Sequence, residues 1–307
     1  MTVALYTHMD MLDHRPGGRH PERPERLKAV TDALSDSDLA LIVRDAPVVD
    51  KADLAAVHQQ AYLDAIFAHR PGEGVVKLDA DTFLSAGSLN AARRAAGAVV
   101  AAVRDVIAGE AERAFCAVRP PGHHAEPGLP MGFCVFSNVA VAARAAQAAG
   151  VKKVAVVDFD IHHGNGTQAA FDGVDGLFLA SIQQWPMWPG TGHPSEPTSA
   201  NIVNAVAPEG GSREVWRKAF ESLMPKVDAF APDLIIISAG FDAHVRDPLG
   251  AGGQSLEAAD FAWATRAIAS IANRHAKGRV VSSLEGGYDL EALGSSALAH
   301  VRALSEG

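Results

Sequence analysis

The sequence predicts a single three-layer α/β/α domain with a mostly parallel central sheet. Short apolar runs typical of buried strands alternate along the chain with longer segments of helical periodicity. This alternation is typical of a parallel sheet that is covered by helices on both faces. A chain of 307 residues can form one large domain or two smaller ones. We expect one domain over residues 1–307, because the sequence contains no repeat, low-complexity segment or convincing linker.

Seven short runs are predicted as strands, and Gly, Pro, Asp and His cluster in the stretches between them. One of these runs, Leu234–Ser238, is apolar almost throughout, as expected for a strand buried on both faces. The predicted strands are Thr2–Thr7, Leu39–Arg44, Arg113–Val118, Val154–Val157, Leu177–Ile182, Leu234–Ser238 and Arg279–Leu284.

Helices are predicted where apolar residues recur at a spacing of three or four. Ser212 offers a hydroxyl at a helix start and Glu214 an acid in the first turn, and both favour an N-terminus there. The predicted helices are one that follows Arg26 and ends near Leu34, Asp53–Ala68, Ser88–Ile107, Cys134–Ala149, one beginning at Ser212, Ser255–Ile271 and Leu290–Leu304. The main predicted loops are His8–Pro24, Pro71–Ser85, Arg119–Pro130 and Gln183–Gly192.

The composition indicates a soluble protein from a reducing compartment. The net charge of −9 argues against a protein that binds nucleic acid electrostatically, and it suits a cationic substrate. The two cysteines, Cys116 and Cys134, cannot form a disulfide framework. The N-terminus lacks the features of a signal peptide, and no apolar run reaches 18 residues. We therefore expect a cytoplasmic protein that has no membrane partner.

Two carboxylates and an imidazole follow the predicted strand Val154–Val157. Asp158, Asp160 and His162 are spaced by two, so on an extended backbone their side chains point to one face. Crowded carboxylates at a strand end need a cation between them, although acids that cap the next helix are a structural alternative. Asp242 follows another buried strand and brings a further carboxylate to the same sheet edge. Two acids and a histidine are typical of a site for zinc or a harder ion.

Two other loops carry side chains suited to chemistry. His123 and His124 are adjacent in a loop rich in Pro and Gly, which suggests proton transfer beside the predicted metal site. Tyr288 follows two glycines after the strand Arg279–Leu284. The simpler interpretation of Tyr288 is a buried tyrosine in an ordinary strand-to-helix turn.

Seven short motifs follow one another along nearly the whole chain. They are His20–Arg26 (HPERPER), Arg119–His124 (RPPGHH), Met131–Cys134 (MGFC), Asp158–Gly166 (DFDIHHGNG), Pro189–Gly192 (PGTG), Ser238–His244 (SAGFDAH) and Glu285–Tyr288 (EGGY). In this order they resemble the zinc-dependent histone deacetylase family, which includes the bacterial acetylpolyamine amidohydrolases and acetoin-utilisation proteins. The resemblance is strongest to the class II branch and its bacterial relatives, and it implies the fold that this family shares with arginase.

The resemblance implies a role for each matching residue. It makes Asp160, His162 and Asp242 the ligands of one catalytic zinc ion. His124 matches the general base, His123 its electrostatic neighbour, and Tyr288 the hydroxyl that polarises the scissile carbonyl. Asp158 matches the residue that orients His123. Asp158, Asp160 and Ser181 match a structural potassium site, and the substrate-binding matches are Phe133, Trp188, Asp81, Gly132 and Gly287.

Two positions depart from the pattern of the family. Asn165 replaces an aspartate of the human class I enzymes, and since an amide stabilises an imidazolium less well, we expect a lower proton affinity at His124. Gln183 stands where many relatives have a histidine beside the tunnel, and its role is left open.

The resemblance also leaves alternatives. A binuclear arginase-like site would need ligands at positions 164 and 244, which are Gly164 and His244, and glycine offers no ligand atom. A non-catalytic relative that binds acylated amines would be expected to have lost a zinc ligand or the tyrosine. The substrate stays open between an acyl-lysine protein or peptide, an acetylated polyamine and another small amide. The sequence does not specify the length of the acyl chain or the oligomeric state, and it is compatible with a homo-oligomer.

Overall fold

The fold is built on ten strands, seen in a computed structural model that describes residues 1–69, 71–250 and 254–306. The strands are β1 (Val3–Thr7), β2 (Leu41–Asp45), β3 (Val76–Lys77), β4 (Phe83–Leu84), β5 (Arg113–Cys116), β6 (Val154–Asp158), β7 (Leu177–Trp185), β8 (Ile202–Pro208), β9 (Leu234–Ala239) and β10 (Val280–Leu284). Eight of them form one sheet in the order β2-β1-β5-β10-β9-β6-β7-β8, and every neighbouring pair is parallel. Strands β3 and β4 form a small antiparallel ribbon.

Helices cover both faces of the large sheet, which confirms the predicted three-layer α/β/α class. They are α1 (Glu25–Ser35), α2 (Lys51–Ala55), α3 (Gln60–Ala68), α4 (Ser88–Ala108), α5 (Asn138–Ala148), α6 (Asn165–Phe171), α7 (Arg213–Phe230), α8 (Ala258–His275) and α9 (Leu290–Ser305), and a short 3-10 helix spans Met9–Asp13. One layer consists of four helices in the spatial order α1, α9, α8 and α7, each of which contacts the next. The other layer contains α4, α5 and α6. Among the helices of the described residues, none has the length and apolar character needed to cross a membrane.

Strands from distant parts of the chain lie side by side at the centre of the sheet. Every residue of β6, β9 and β10 is buried, which explains their nearly continuous apolar sequences. The loops that follow β5, β10, β9 and β6 therefore meet at one edge, the carboxyl ends of parallel strands. Ligands of open α/β sheets bind at such an edge. The assignment of the whole chain to a single domain stays a prediction.

Several predicted element boundaries are wrong. Strand β8 was not predicted; it lies at the edge of the sheet and is only partly buried, so its sequence lacks a clear apolar pattern. Strand β7 continues to Trp185, because its two glutamines pair with β8 inside the sheet. Strand β6 ends at Asp158, so the side chains of Asp160 and His162 converge from a loop and not from extended strand.

Two predicted helices also differ from the structure. The segment Asp53–Ala68 is broken into α2 and α3, because the N–H group of Gln59 donates to the carbonyl oxygen of Pro127. Helix α5 begins at Asn138 and not at Cys134, since the N–H group of Cys134 closes a turn onto the carbonyl oxygen of Met131. The apolar residues of that turn resemble a helix face in sequence.

Candidate metal centre

Two carboxylates and one imidazole converge just beyond the ends of β6 and β9. The ligand atoms that Asp160, His162 and Asp242 offer all lie within 4.8 Å of one another. The Nδ1 atom of His162 is 3.1 Å from Asp160 Oδ1 and 3.1 Å from Asp242 Oδ2. Within the described ranges, these three form the one group of at least three such side chains that could hold a metal ion. This donor set fits zinc with three protein ligands and a position left for water.

Glycines let the backbone approach the two carboxylates of this group closely. A Cβ atom on Gly240 would lie 2.0 Å from Asp160 Oδ2, and one on Gly286 would lie 2.2 Å from Asp242 Oδ2. The N–H group of Gly286 donates to Asp160 Oδ2 at 2.9 Å, and that of Ile161 donates to Asp242 Oδ1 at 3.1 Å. Backbone donors therefore orient both carboxylates, as outer hydrogen bonds commonly orient metal ligands. Both carboxylates are fully buried, and a cation would offset their mutual repulsion.

The histidine pair lies beside the metal group with its two rings in different surroundings. The ring centroids of His123 and His124 are 3.9 Å apart. His123 Nδ1 donates to Asp158 Oδ2 at 3.0 Å, and His124 Nδ1 is 2.8 Å from Asn165 Oδ1. The amide nitrogen of Asn165 donates to Glu126 Oε1, which assigns the amide oxygen to His124. Because that oxygen only accepts, His124 carries its proton on Nδ1 and a lone pair on Nε2.

The two histidines differ in proton affinity. Burial lowers the pKa of His123, but the carboxylates of Asp160 and Asp158 outweigh it and raise that pKa to about 10. At His124, burial and the positive charges of His123 and His162 hold the pKa well below its ordinary value. His124 is therefore a neutral imidazole beside a charged one, and a neutral ring nitrogen can accept a proton.

Tyr288 reaches the same region on the loop between β10 and α9. Its ring packs against Arg26, whose guanidinium carbon is 4.6 Å from the ring centroid. The preceding Gly287 has a φ of +119°, a conformation that only glycine adopts readily. Burial raises the pKa of the Tyr288 hydroxyl well above its ordinary value, and the carboxylate of Asp242 adds to this rise while Arg26 opposes it. The hydroxyl keeps its proton near neutral pH and can donate a hydrogen bond.

Aromatic side chains flank the histidine pair and the tyrosine. The ring centroid of Trp188 is 4.7 Å from that of His124, and the centroid of Phe133 is 5.9 Å from that of Tyr288. A Cβ atom on Gly132 would lie 2.4 Å from His124 Cδ2 and 2.7 Å from Trp188 Cη2. Phe133 itself has a φ of +68°, and strained residues of this kind cluster at functional sites. The structure thus brings these predicted substrate-binding residues to the metal group.

The predicted rim acid, Asp81, contacts the same segment. Its Oδ1 atom accepts the N–H group of Gly132 at 3.1 Å and the hydroxyl of Thr82 at 3.2 Å. Its carbonyl oxygen lies 3.0 Å from the Nε2 atom of His20. Asp81 is only half-buried, so part of its surface faces solvent beside Phe133.

Comparison with known proteins agrees with this site. The family model described as Histone deacetylase domain matches residues 20–304. This chain belongs to the histone deacetylase family. The resemblance seen in the seven motifs is therefore confirmed.

Individual relatives match most of the chain in sequence or in structure. The crystal structure of an HDA15 HD domain superposes with a TM-score of 0.91 at 34% sequence identity, over 99% of this chain and 89% of that one. The histone deacetylase-like amidohydrolase of Pseudomonas aeruginosa is 38% identical over 87% of this chain and 71% of its own length. The Type-2 histone deacetylase 2 of Dictyostelium discoideum is 33% identical over 99% of this chain, which spans only 21% of that longer protein.

In this member of the histone deacetylase family, a cluster of buried charged side chains holds the loop between β10 and α9. This loop carries Tyr288 and is called the tyrosine loop below. The cluster consists of Glu22, Arg26 and Arg119, whose side chains are all fully buried. Arg119 donates to both carboxylate oxygens of Glu22, at 2.8 and 2.6 Å. Arg26 donates to the carbonyl oxygens of Glu285 and Gly287, each at 2.6 Å. These residues belong to the motifs His20–Arg26 and Arg119–His124, but no role was predicted for them; the charged side chains of these motifs were the available signal.

Two further carboxylates, for which the sequence predicted no role, connect the loops of the site. Asp247 Oδ2 accepts the N–H group of Tyr288 at 2.6 Å, and burial together with the charge of Asp242 raises the pKa of Asp247 to about 6. Glu285 Oε2 accepts the N–H groups of Gly122 and His123 at 2.7 and 3.1 Å. The tyrosine loop is thus tied both to the segment after β9 and to the histidine loop.

Two of the three predicted potassium ligands, Asp158 and Ser181, lie in neighbouring strands, and the third, Asp160, lies in the loop after β6. Asp158 and Ser181 are paired in register between β6 and β7, and both are buried. The hydroxyl of Ser181 donates to Gln183 Oε1 at 2.9 Å, and Gln183 Nε2 donates to the carbonyl oxygen of Gly192 at 2.6 Å. Gln183 is 1% exposed, so it fastens the loop before Gly192 to the end of the sheet from inside.

Proposed function

We propose that the chain is a zinc-dependent amidohydrolase that removes acetyl or longer acyl groups from lysine side chains or similar amines. The observation that carries the proposal is the convergence of Asp160, His162 and Asp242 with a histidine pair at one sheet edge. The loop that carries Tyr288 meets the same group, because the N–H group of Gly286 donates to Asp160. The family and the printed name of the Pseudomonas relative, an amidohydrolase, support hydrolysis of amides.

A single zinc ion would be held by Asp160, His162 and Asp242. When bound, zinc acts as a Lewis acid and lowers the pKa of a bound water to about 7. A second metal ion is disfavoured, because Gly164 offers no ligand atom at the position where an arginase-like site needs one. A side chain would not fit there, since a Cβ atom would lie 2.4 Å from Asp158 Oδ2. His244 is outside the metal group of the described residues, and its Nδ1 atom accepts the N–H group of Arg246.

The chain's own residues would move the proton. His124 Nε2 accepts the proton of the attacking water, because Asn165 holds the other ring nitrogen as a donor. His123 stays charged against Asp158 and stabilises the negative charge that develops nearby. A histidine of the pair then returns a proton to the nitrogen of the leaving amine. The products are a free amine and a carboxylate.

Tyr288 would stabilise the oxyanion that forms from the amide carbonyl. Its hydroxyl keeps its proton, so it can donate a hydrogen bond to the charge that exists only after attack. Phe133 and Trp188 would line an apolar passage for the extended amine, with Gly132 and Gly287 allowing close approach. Asp81 would accept hydrogen bonds from the substrate backbone at the rim.

Three finer points belong to the same proposal. A structural potassium ion would be held by Asp158, Asp160 and Ser181, which are buried next to one another. The substrate would be an acyl-lysine protein or peptide, or else an acetylated polyamine. The two free, buried thiols of Cys116 and Cys134 support the predicted cytoplasmic location.

A substrate panel tests the proposal. Purified protein is assayed for amine release from acetyl-lysine peptides, longer acyl-lysine peptides and acetylpolyamines, while bound metal is measured in parallel. We expect hydrolysis of at least one acyl-lysine peptide with about one zinc ion per chain, loss of activity on chelation and recovery with added zinc. A protein with full zinc occupancy that leaves every amide intact would overturn the proposal.

A further inference from the structure

A cavity of about 840 Å³ beside Tyr288 has three arginines in its lining, and the reaction proposed above gives them no role. Three arginines contribute to its wall, Arg15, Arg19 and Arg23, and the wall also includes Leu249 and Tyr288. We call these three side chains and the space between them the arginine pocket. The pocket adjoins the tyrosine loop, so a group bound in it would lie next to the substrate.

The arginine pocket carries uncompensated positive charge. Arg19 and Arg23 are exposed, and neither forms an ion pair with another residue in the part of the chain that the structure describes. Arg15 has only a long contact of 3.8 Å to Asp13. The carboxylate of Glu22 also borders the pocket, but both of its oxygens are bound by Arg119. The exposed Glu25 is the remaining acid of the wall, so positive charge prevails there although the whole chain has a net charge of −9.

His20 connects the arginine pocket to the mouth of the candidate site. It lines the pocket, and its ring centroid is 4.7 Å from that of Phe133. Its Nε2 atom lies 3.0 Å from the carbonyl oxygen of Asp81, the predicted rim acid. A substrate whose amine chain passes Phe133 therefore has the arginine pocket on one side and Asp81 on another.

We propose that the arginine pocket binds a carboxylate of the substrate and so sets substrate preference; the inference rests on the amide hydrolysis proposed above. Guanidinium groups bind carboxylates through paired hydrogen bonds, and exposed arginines without partners keep their donors available. The carboxylate can come from an acidic residue that flanks the acyl-lysine, or from the far end of a dicarboxylic acyl chain. Polycations such as acetylpolyamines are disfavoured, because they would meet like charge at this wall.

Three peptides and three proteins test this inference. The peptides are an acetyl-lysine peptide with Gln flanks, the same peptide with Glu flanks, and a succinyl-lysine peptide with Gln flanks. The proteins are the wild type, the double variant Arg19→Gln/Arg23→Gln, and the control Lys218→Gln/Lys226→Gln. The control removes the same charge from exposed positions of α7, outside the pocket. Binding is measured by fluorescence anisotropy and turnover by kcat/KM.

We expect the wild type to prefer one of the two acidic peptides over the neutral one by about 3- to 10-fold in both Kd and kcat/KM. The acidic peptide that is preferred identifies the source of the carboxylate. The preference should disappear in Arg19→Gln/Arg23→Gln, persist in the lysine control, and shrink at high salt. Activity on the neutral peptide should stay unchanged in both variants.

Each failure has its own meaning. Equal binding of all three peptides by the wild type would overturn the inference, and so would a preference that survives in Arg19→Gln/Arg23→Gln. If no peptide is hydrolysed but an acidic one binds more tightly and loses that advantage in the arginine variant, the hydrolytic proposal fails while the pocket stands. The anisotropy measurement therefore decides the inference independently of catalysis.

Discussion

The proposed metal ligands and the tyrosine of the candidate site are supported in different ways. Asp160 and His162 are two residues apart, and the backbone immediately after β6 and β9 brings them to Asp242. Tyr288 instead depends on Arg26, which bonds to the carbonyl oxygen of Gly287 from 261 residues away in sequence. The metal half of the site, Asp160, His162 and Asp242, is thus held by backbone groups at the ends of neighbouring strands. The tyrosine half, Tyr288 and its loop, depends in addition on the buried side chain of Arg26 from a distant segment. A substitution far from the site in sequence should therefore affect the two halves differently.

Loss of a metal ligand is expected to have the largest effect. Asp242→Ala removes one of the three proposed protein ligands, so we expect loss of bound zinc and of all measurable activity. Metal analysis and an acetyl-lysine assay check both outcomes. Asp260→Asn is a matched control, since Asp260 is equally buried but pairs with Arg213 and Arg217, and it should keep its zinc. An Asp242→Ala protein that retains stoichiometric zinc would remove Asp242 from the metal half.

Substitutions in the histidine pair should have the next largest effect on activity. They distinguish the roles of two residues whose rings are in contact. His124→Ala removes the proposed base and should lower kcat by about 10²–10⁴-fold. His123→Ala removes a neighbouring charge and should cost less, because its ring is not the proton acceptor. Zinc content should survive both changes. Equal, small losses in the two variants would show that the roles are misassigned.

Substitution of Arg26 should disturb the tyrosine half without changing any residue of the tyrosine loop itself. Arg26→Met leaves two carbonyl oxygens and Tyr288 without their buried partner, so we expect a loss of about 3–5 kcal/mol in the free energy of unfolding. Misplacement of Tyr288 should also lower kcat by roughly 10- to 100-fold, with zinc retained.

Arg113→Met separates these two effects. Arg113 is as fully buried and also donates to two carbonyl oxygens, but they belong to Gly278 and Leu304, away from the tyrosine loop. We expect a similar loss of stability by urea denaturation with kcat close to that of the wild type. If both variants keep normal turnover, the long-range support of the tyrosine loop has no catalytic role.

The smallest expected effect is a pH dependence of the free energy of unfolding that comes from His300, a buried histidine that packs next to the metal half. His300 packs against Phe159 and Phe241, the residues that precede two ligands, and its ring nitrogens lie 2.6 Å from the hydroxyl of Thr265 and 2.8 Å from that of Ser282. Burial lowers the pKa of His300 to about 3, below its ordinary value of 6.5. The unfolded chain therefore takes up this proton first, and stability falls as the pH drops from 6.5 towards 3.

A variant isolates this contribution. The wild type should lose about 2 kcal/mol more than His300→Gln between pH 7 and pH 5, because only the histidine takes up a proton on unfolding. Urea denaturation at both pH values measures the difference. Parallel losses in the two proteins would show that His300 does not link pH to the stability of the metal half.

The same contrast explains what could be predicted from the sequence. The central strands and the ligands Asp160, His162 and Asp242 depend on local spacing and on the shared carboxyl edge of parallel strands, which a sequence displays directly. The cluster around Arg26 and the role of Asp247 depend on which distant segments pack together, which no local pattern specifies. The net charge of a sequence also does not show where the charged side chains lie on the folded surface. The value of −9 therefore suggested a cationic substrate, although the arginine pocket beside Tyr288 is basic.

Tyr288→Phe tests most directly the claim that the two halves act on one reaction. The hydroxyl is proposed to bond to the oxyanion and not to the ground-state amide, so kcat should fall by about 10²–10³-fold with little change in KM. Tyr6→Phe is the control, because Tyr6 is also buried but its hydroxyl bonds to Asp105 on α4. Steady-state kinetics on an acetyl-lysine peptide, with zinc measured in the same samples, should give a zinc-loaded, folded and nearly inactive Tyr288→Phe beside an active Tyr6→Phe. A zinc-loaded Tyr288→Phe that turns over at the wild-type rate would contradict the account.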